Sequence, residues 1–407
     1  MRILSLASPG DCRTELARVG VDPAAIPIFL AKRDTLAILL EDLPCSTANI
    51  IKQTALAQGA DCAMHRDVIR GRKRRSNVIL FATRRALGRI GERLSEQPPT
   101  ARACAERIRS LIRQHDNPHC VLKVRNVSLD LSERTYFMGI VNLTPDSFSD
   151  GGRYLDPNQA VVHARKLIDS GADFIDLGAE STRPGAESVS ARQELARLLP
   201  VLRDLRKRTD RFISVDTYKS EVARVCLQAG ADVINDISGL RFDPKLAAVI
   251  ARAGAASVVM HIKGKPRTMQ RKPTYQDLMG EICEYLSGSI ARAAKAGIPQ
   301  EQVIVDPGIG FGKSVEDNFT ILRRLGELKS LGQPILVGPS RKSFIGAALD
   351  LPVEERLAGT VAASVMAVAN GASILRVHDV KEVKQAVVVA ERIIRGQESG
   401  DGARGRA

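Results

Sequence analysis

Met138-Gly139-Ile140-Val141-Asn142-Leu143-Thr144-Pro145-Asp146-Ser147-Phe148-Ser149-Asp150-Gly151-Gly152 opens as an apolar strand and runs directly into a polar loop holding a proline, paired glycines and two carboxylates. Asn142 stands where the apolar run ends, so its side chain is offered to whatever lies above the strand. By itself the segment fits an ordinary strand and a solvated turn equally well. Repetition downstream decides between the two readings.

Short apolar segments rich in β-branched residues recur at residues 137–143, 172–177, 212–215, 233–237, 256–262, 303–305, 334–337 and 372–377. Their continuous hydrophobicity is that of strands buried on both faces. Amphipathic helical patterns alternate with them at residues 158–169, 191–207, 221–229, 275–296, 315–328, 354–369 and 380–395. Ser170-Gly171, Ala229-Gly230, Ala253-Gly254, Ala296-Gly297 and Asn370-Gly371 mark helix ends leading into strands. Eight strand–helix units in about 260 residues predict an α/β fold, a (β/α)8 TIM barrel over residues 121–396. A hairpin, residues 121–127 and 128–135, precedes it and could cover its bottom. The alternative is an open doubly wound sheet, which would carry a glycine fingerprint in its first turn; none is present.

Residues 1–120 read as a separate small α+β N-terminal domain. Strand-like stretches lie at residues 26–31, 36–40 and 78–82, and helical patterns at 47–57, 84–95 and 100–113. Residues 397–407, polar and glycine-bearing, are expected to form a disordered C-terminal tail. The net charge of +14 divides into +8 on residues 1–120 and +6 on the rest. Such a balance attracts anionic ligands without naming one. The run Arg70 to Arg75 reads as a solvated loop, and residues 1–120 as a packing, docking or regulatory module.

Seven scattered cysteines, never in a Cys-x-x-Cys pair, read as reduced thiols. The six histidines form no metal-binding spacing, which argues against a protein-ligated transition metal. The chain has neither an apolar run of membrane-spanning length nor a basic segment leading into an apolar signal core, so a cytoplasmic location is expected.

In a barrel the reactive groups sit at the C-terminal strand ends. There the sequence places Asn142; Asp176 and residues 180–185; Asp216; Asn235 and Asp236; His261; Asp306; residues 338–343; and Arg376, His378 and Asp379. Helix capping explains one such residue but not eight strands all ending this way. Carboxylates and amides suit a heterocycle with adjacent N–H donors, while Arg183, Arg341, Lys342, Arg376 and His378 suit a diphosphate and a further carboxylate.

These motifs, in this order over residues 122–396, resemble the dihydropteroate synthases, the folate-pathway enzymes that sulfonamides inhibit. The resemblance rests on residues 138–152, 178–185, 214–217, 234–237, 260–270, 306–313, 338–346 and 376–380. It implies Mg²⁺-dependent joining of 4-aminobenzoate to 6-hydroxymethyl-7,8-dihydropterin diphosphate, giving 7,8-dihydropteroate and pyrophosphate. It further implies that Asp216, Asn235, Asp306 and Lys342 hold the pterin, with Arg376 on its ring face. Asn142, Arg376 and His378 would grip the diphosphate, Asn142 also meeting Mg²⁺. Phe148, Thr182, Arg183, Pro184, Phe311, Lys342 and Ser343 would shape the aminobenzoate pocket, and Asp150 would favour a cationic intermediate. Family members are commonly homodimers. The N-terminal 120 residues exceed what the basic enzyme needs.

A methyltransferase barrel that binds a folate would share the strand-end Asp and Asn residues but would not need the Arg376/His378 pair or the loops at 144–152 and 340–342. A nucleic-acid binder would need more than five tyrosines, ten phenylalanines and no tryptophan for stacking. No RNA or DNA motif appears.

Overall fold

The computed structural model describes residues 2, 4, 6, 8–116, 121–144, 156–181, 188–271 and 273–395. Phe148, Asp150, Thr182, Arg183, Pro184 and the expected tail at 397–407 lie outside them. The chain divides into two compact units, one of residues up to Arg113 with the chain end from Arg392, the other Gln114–Glu391.

The first unit runs α1 (Pro9–Val19), α2 (Ile26–Arg33), β1 (Thr35–Pro44), α3 (Cys45–Ala57), β2 (Asp61–Met64), β3 (Arg75–Thr83), α4 (Arg84–Ser95) and α5 (Pro99–Asp116). Its strands form an antiparallel sheet in the order β1-β3-β2. Strict alternation along β3 buries Val78, Leu80 and Ala82 in one core with Ile51, Leu87, Ile90 and Ile108. The strand expected at residues 26–31 is instead α2. Pro27 falls in its first turn, and the preceding turn is capped by Asp22, whose Oδ1 accepts from Ala24 N at 2.8 Å. Helix-start chemistry there outweighs apolar content.

The second unit opens with the hairpin β4 (Val121–Val124) and β5 (Val127–Asp130). The chain reverses at Arg125, whose φ of 54° is left-handed, so these strands are shorter than expected and the turn comes earlier. Then strand and helix alternate: β6 (Tyr136–Asn142), α6 (Pro157–Asp169), β7 (Phe174–Gly178), α7 (Ala191–Arg208), β8 (Phe212–Asp216), α8 (Ser220–Gln228), β9 (Val233–Asp236) and α9 (Leu246–Ala253). The second half is β10 (Ala256–Met260), α10 (Leu278–Ala296), β11 (Val303–Asp306), α11 (Val315–Arg323), β12 (Leu336–Val337), α12 (Ser343–Leu349), α13 (Leu357–Ala369), β13 (Ile374–Val377) and α14 (Val380–Arg395). The helix expected over 315–328 stops at Arg323 and tightens into a 3-10 turn, Leu325–Leu331, around Gly326, a poor residue for a helix interior. Asp277 caps α10, so that helix starts at Leu278 rather than 275.

All eight strands are parallel, in the order β11-β10-β9-β8-β7-β6-β13-β12. A parallel bridge between Val305 and Ile335, with Val305 N donating to Pro334 O at 2.9 Å, joins the two ends. The sheet is therefore a closed (β/α)8 barrel, and the open doubly wound alternative is excluded. Inside it, Met138, Phe174, Val258, Ile304, Leu336 and Ile374 pack with Leu122 and Val124 of the hairpin, which plugs the floor. Outside it, Val141, Leu177, Val215 and their neighbours pack against the helices. With the floor filled by the hairpin, the barrel interior faces outward at the C-terminal strand ends.

Candidate active site

Strand register builds the cleft. Asn142, Gly178, Asp216 and Asn235 form one row across β6, β7, β8 and β9. Two residues below that row's glycine, Asp176 is fully buried and sits opposite Ser214. Arg376, on β13, reaches across to this carboxylate: its Nε donates to Asp176 Oδ2 at 2.6 Å, and an Nη donates to Asp216 Oδ2 at 3.0 Å. Asn235 Nδ2 donates to the same Asp176 oxygen at 3.1 Å, which leaves the Asn235 carbonyl as an acceptor for something else. Asp176 Oδ1 and Ser214 Oγ are buried with no hydrogen-bond partner among the described residues. A buried polar atom in that state marks a place for a water or a ligand donor.

Electrostatics follow from this crowding. Burial, opposed by the Arg376 guanidinium and reinforced by Asp176, pushes Asp216 up to about 7. Asp306, at the end of β11, is pushed up to about 6 by burial, although its Oδ1 accepts from Gly308 N at 2.6 Å. Burial disfavours the Arg376 charge, but Asp176 and Asp216 overcome it and hold the guanidinium above its ordinary value. His378 is forced down to about 3 by burial and by Arg376, so it is neutral at pH 7. Its Nδ1 lies 3.0 Å from Ser340 Oγ, which accepts from His378 N at 3.3 Å. In the tautomer where the hydroxyl donates to Nδ1, Nε2 carries the ring proton and can donate into the cleft.

Two expected cations behave differently. Arg341 is held by Asp379 through paired bonds of 2.9 and 2.6 Å, so its charge is matched before any anion arrives. Lys342 instead lies with Nζ 4.3 Å from the Phe311 ring centroid. A cleft of about 510 Å³ brings together Asn142, Asp216, Arg376 and His378 with Phe311, Lys342 and Ser343. Asn235 is tied to it through Asp176, whereas Asp306 is buried at the end of β11, bonded to Gly308 N, and does not line the cleft. Sequence reasoning missed the parts played by Asp176 and Ser340. An acid inside the apolar run Phe174-Ile175-Asp176-Leu177 was the available signal for the first; nothing local announces the second. No cluster of three or more His, Cys, Asp or Glu among the described residues could hold a metal ion, and no helix among them is long and apolar enough to cross a membrane.

Fold and site together define a (β/α)8 enzyme whose polar strand ends face one ligand cleft. The family model of the pterin binding enzymes matches residues 138–378, and the chain belongs to that family, among its dihydropteroate synthases, which are transferases forming a C–N bond. The dihydropteroate synthase of Synechocystis sp. is 50% identical over 275 residues, covering 67% of this chain and 95% of the relative. The Xanthomonas albilineans dihydropteroate synthase solved with 4-aminobenzoic acid superposes with a TM-score of 0.63 at 42% identity, covering 67% of this chain and 98% of that one. The Clostridium difficile dihydropteroate synthase solved in the presence of pteroic acid gives 0.62 at 44%, covering 66% and 100%. A probable bifunctional folylpolyglutamate synthase/dihydropteroate synthase of Haloferax volcanii is 36% identical over 389 residues. That match takes in 93% of this chain, and so part of the N-terminal unit, but 46% of the relative.

Proposed function

We propose that this chain condenses 4-aminobenzoate with 6-hydroxymethyl-7,8-dihydropterin diphosphate to give 7,8-dihydropteroate and pyrophosphate. The observation that carries the reading is the buried Asp176–Arg376–Asp216 chain with Asn235 held beside it. It aims acceptors at one side of the cleft, as a ring with adjacent N–H groups requires. Asp216, Asn235 and Asp306 accept from the pterin, Lys342 donates to it, and Arg376 lies along its face.

The diphosphate extends toward Asn142, Arg376 and His378, the last donating from Nε2 as a neutral group. The bond between the pterin methylene carbon and the bridging oxygen breaks, and its electron pair leaves with pyrophosphate. The neutral aromatic amine of 4-aminobenzoate then attacks the pterin cation and loses a proton to form the new C–N bond. Phe311 and Lys342 flank the incoming ring, with Ser343 near its carboxylate; the family resemblance also assigns Phe148, Thr182, Arg183 and Pro184 to this substrate and Asp150 to the cation. Asn142 suits Mg²⁺, because that ion needs few protein ligands when phosphate oxygens and water complete its shell, and an amide oxygen in the cleft is a hard donor. Bound there, Mg²⁺ would neutralise charge on the leaving group. Exposed Met366, Val388 and Val389 on the outer helices support a homodimer, and a cytoplasmic enzyme accords with the reduced thiols Cys12, Cys62, Cys104 and Cys226.

The test is formation of dihydropteroate from labelled 4-aminobenzoate and the pterin diphosphate, with and without Mg²⁺. Product that depends on both substrates and on the metal is expected. A folded protein that binds pterin and forms no product would overturn the reading.

A further inference from the structure

Beyond the groups that would touch substrate, one buried cation has no part in the site as described. Lys313 follows the glycine-laced turn after β11 and is almost wholly buried. Among the described residues no carboxylate forms an ion pair with it. Its Nζ has three neighbours instead: His261 Nδ1 at 2.8 Å, the Phe311 carbonyl at 3.0 Å and the His261 carbonyl at 3.4 Å. Two belong to the end of β10 and one to the turn after β11, so a single amino group ties two loops.

The loops are pressed together around that tie. A methyl group on Gly308 would lie 2.1 Å from the His261 carbonyl oxygen, and one on Gly312 would lie 2.4 Å from the Lys263 carbonyl oxygen. Both glycines have left-handed φ, 69° and 63°, so no other residue fits either place. Gln270 Nε2 donates to Gly310 O at 2.8 Å and the Tyr275 hydroxyl to Gly312 O at 2.6 Å. The turn so held presents Phe311 to Lys342.

Burying an unpaired ammonium is costly, and a methionine would fill the same space without that cost. Burial pushes Lys313 down to about 7 and His261 down to about 2, so the imidazole stays neutral and can accept. Facing this pair are Asp306, Asp317 and Lys342 around Lys313, and Lys263 and Arg241 around His261. The amino group thus stands, at that cost, between the end of β10 and the turn that bears Phe311.

We propose that Lys313 is a positioning residue for the second substrate: it pins the turn bearing Phe311 to the end of β10 and thereby fixes the aromatic wall and the Lys342 ammonium that receive 4-aminobenzoate. This rests on the function proposed above. The pterin side shares Asp306 and Lys342 with this turn, but its other groups, Asp176, Asp216, Asn235 and Arg376, hold one another across β7, β8, β9 and β13, so the larger effect falls on 4-aminobenzoate.

Steady-state kinetics of the full chain as wild type, Lys313→Met and Lys313→Gln, with both substrates varied, test this. Folded Lys313→Met is expected to raise KM for 4-aminobenzoate about tenfold and KM for the pterin diphosphate less than about threefold. Lys313→Gln, whose amide can still donate to two of the acceptors, is expected to fall between it and wild type. Equal changes in the two KM values, or none, would overturn the proposal. Should Lys313→Met fail to fold, His261→Gln is read by the same two KM values, since it changes the acceptor ring and leaves the carbonyl. A wild type that makes no dihydropteroate would refute the reading of the site, an outcome distinct from unchanged KM values in an active enzyme.

Discussion

Arg376 is gripped by two carboxylates at once, and this sharing sets what its loss would do. Arg376→Ala leaves Asp176 and Asp216 facing each other without a cation, a loss that in a buried site costs about 3–5 kcal/mol. Asp216, already raised to about 7, takes up a proton and limits that cost. The variant is therefore expected to fold with a lower Tm and to lose dihydropteroate synthesis by about a thousandfold or more, read by circular dichroism and the product assay. Near-normal turnover would remove Arg376 from the mechanism. The Asp216 value also predicts a pH dependence. Only the ionised carboxylate accepts two bonds from the ring, so binding releases a proton below about pH 7. Affinity for the pterin substrate should then fall as pH is lowered through 7, approaching tenfold per unit, and calorimetry in buffers of different ionisation heat would report that release. Asp216→Asn should bind weakly and lose the slope around pH 7, keeping only the fall near pH 6 that Asp306 contributes; an unchanged slope around pH 7 in that variant would assign the proton elsewhere. The strand-end positions of Asn142, Asp216, Asn235 and His378 were legible because each lies at or just past the end of an apolar run. The partnership of Asp176 with Arg376 was not, because it spans 200 positions and depends on barrel closure. Arg341 shows the same limit: its charge was visible, its capture by Asp379 was not.

At the scale of elements, burial governed what could be read. Barrel strands are covered on both faces and so appear as short apolar runs, which is why all eight were recognisable, with ends displaced by a residue or two. Residues 26–31 were equally apolar yet helical, with Ile28 and Phe29 well exposed, so composition misled where no buried face imposed a period. The hairpin ahead of the barrel was recognisable as a cover but not in its register, since Arg125 takes a left-handed turn that a non-glycine residue does not advertise. Its packing gives a prediction. Leu122 is fully buried inside the barrel floor with Met138 and Phe174, so Leu122→Ala removes a plug that its neighbours, fixed in strands, cannot close over. A loss of about 3 kcal/mol is expected in denaturant unfolding. Because the floor lies at the strand ends opposite the cleft, both KM values should stay within about twofold of wild type. A large change in KM with little loss of stability would mean that the hairpin acts on the site rather than beneath it.

For the whole molecule, the question is how far the first unit belongs to the working enzyme. Residues up to Arg113 have their own sheet and core, in which Ile51, Val78, Leu80, Ile90 and Ile108 are all fully buried. The barrel likewise has its own interior and outer layers. Domains with separate cores can in principle fold alone. The Synechocystis relative is matched over 95% of its length by two thirds of this chain, so the barrel portion has the extent of a whole enzyme. The Haloferax match reaches further toward the N-terminus, so part of the first unit has a counterpart in that relative. A chain starting at Gln114 keeps the hairpin that seals the floor and every residue assigned to the cleft. It is expected to be soluble, to unfold in one cooperative step and to retain kcat/KM within about threefold of the full chain. Unfolding of the full chain should then show a second transition that this fragment lacks. If the fragment is insoluble, or folded but inactive, the first unit is part of the catalytic body and the division by cores does not mark a division of labour.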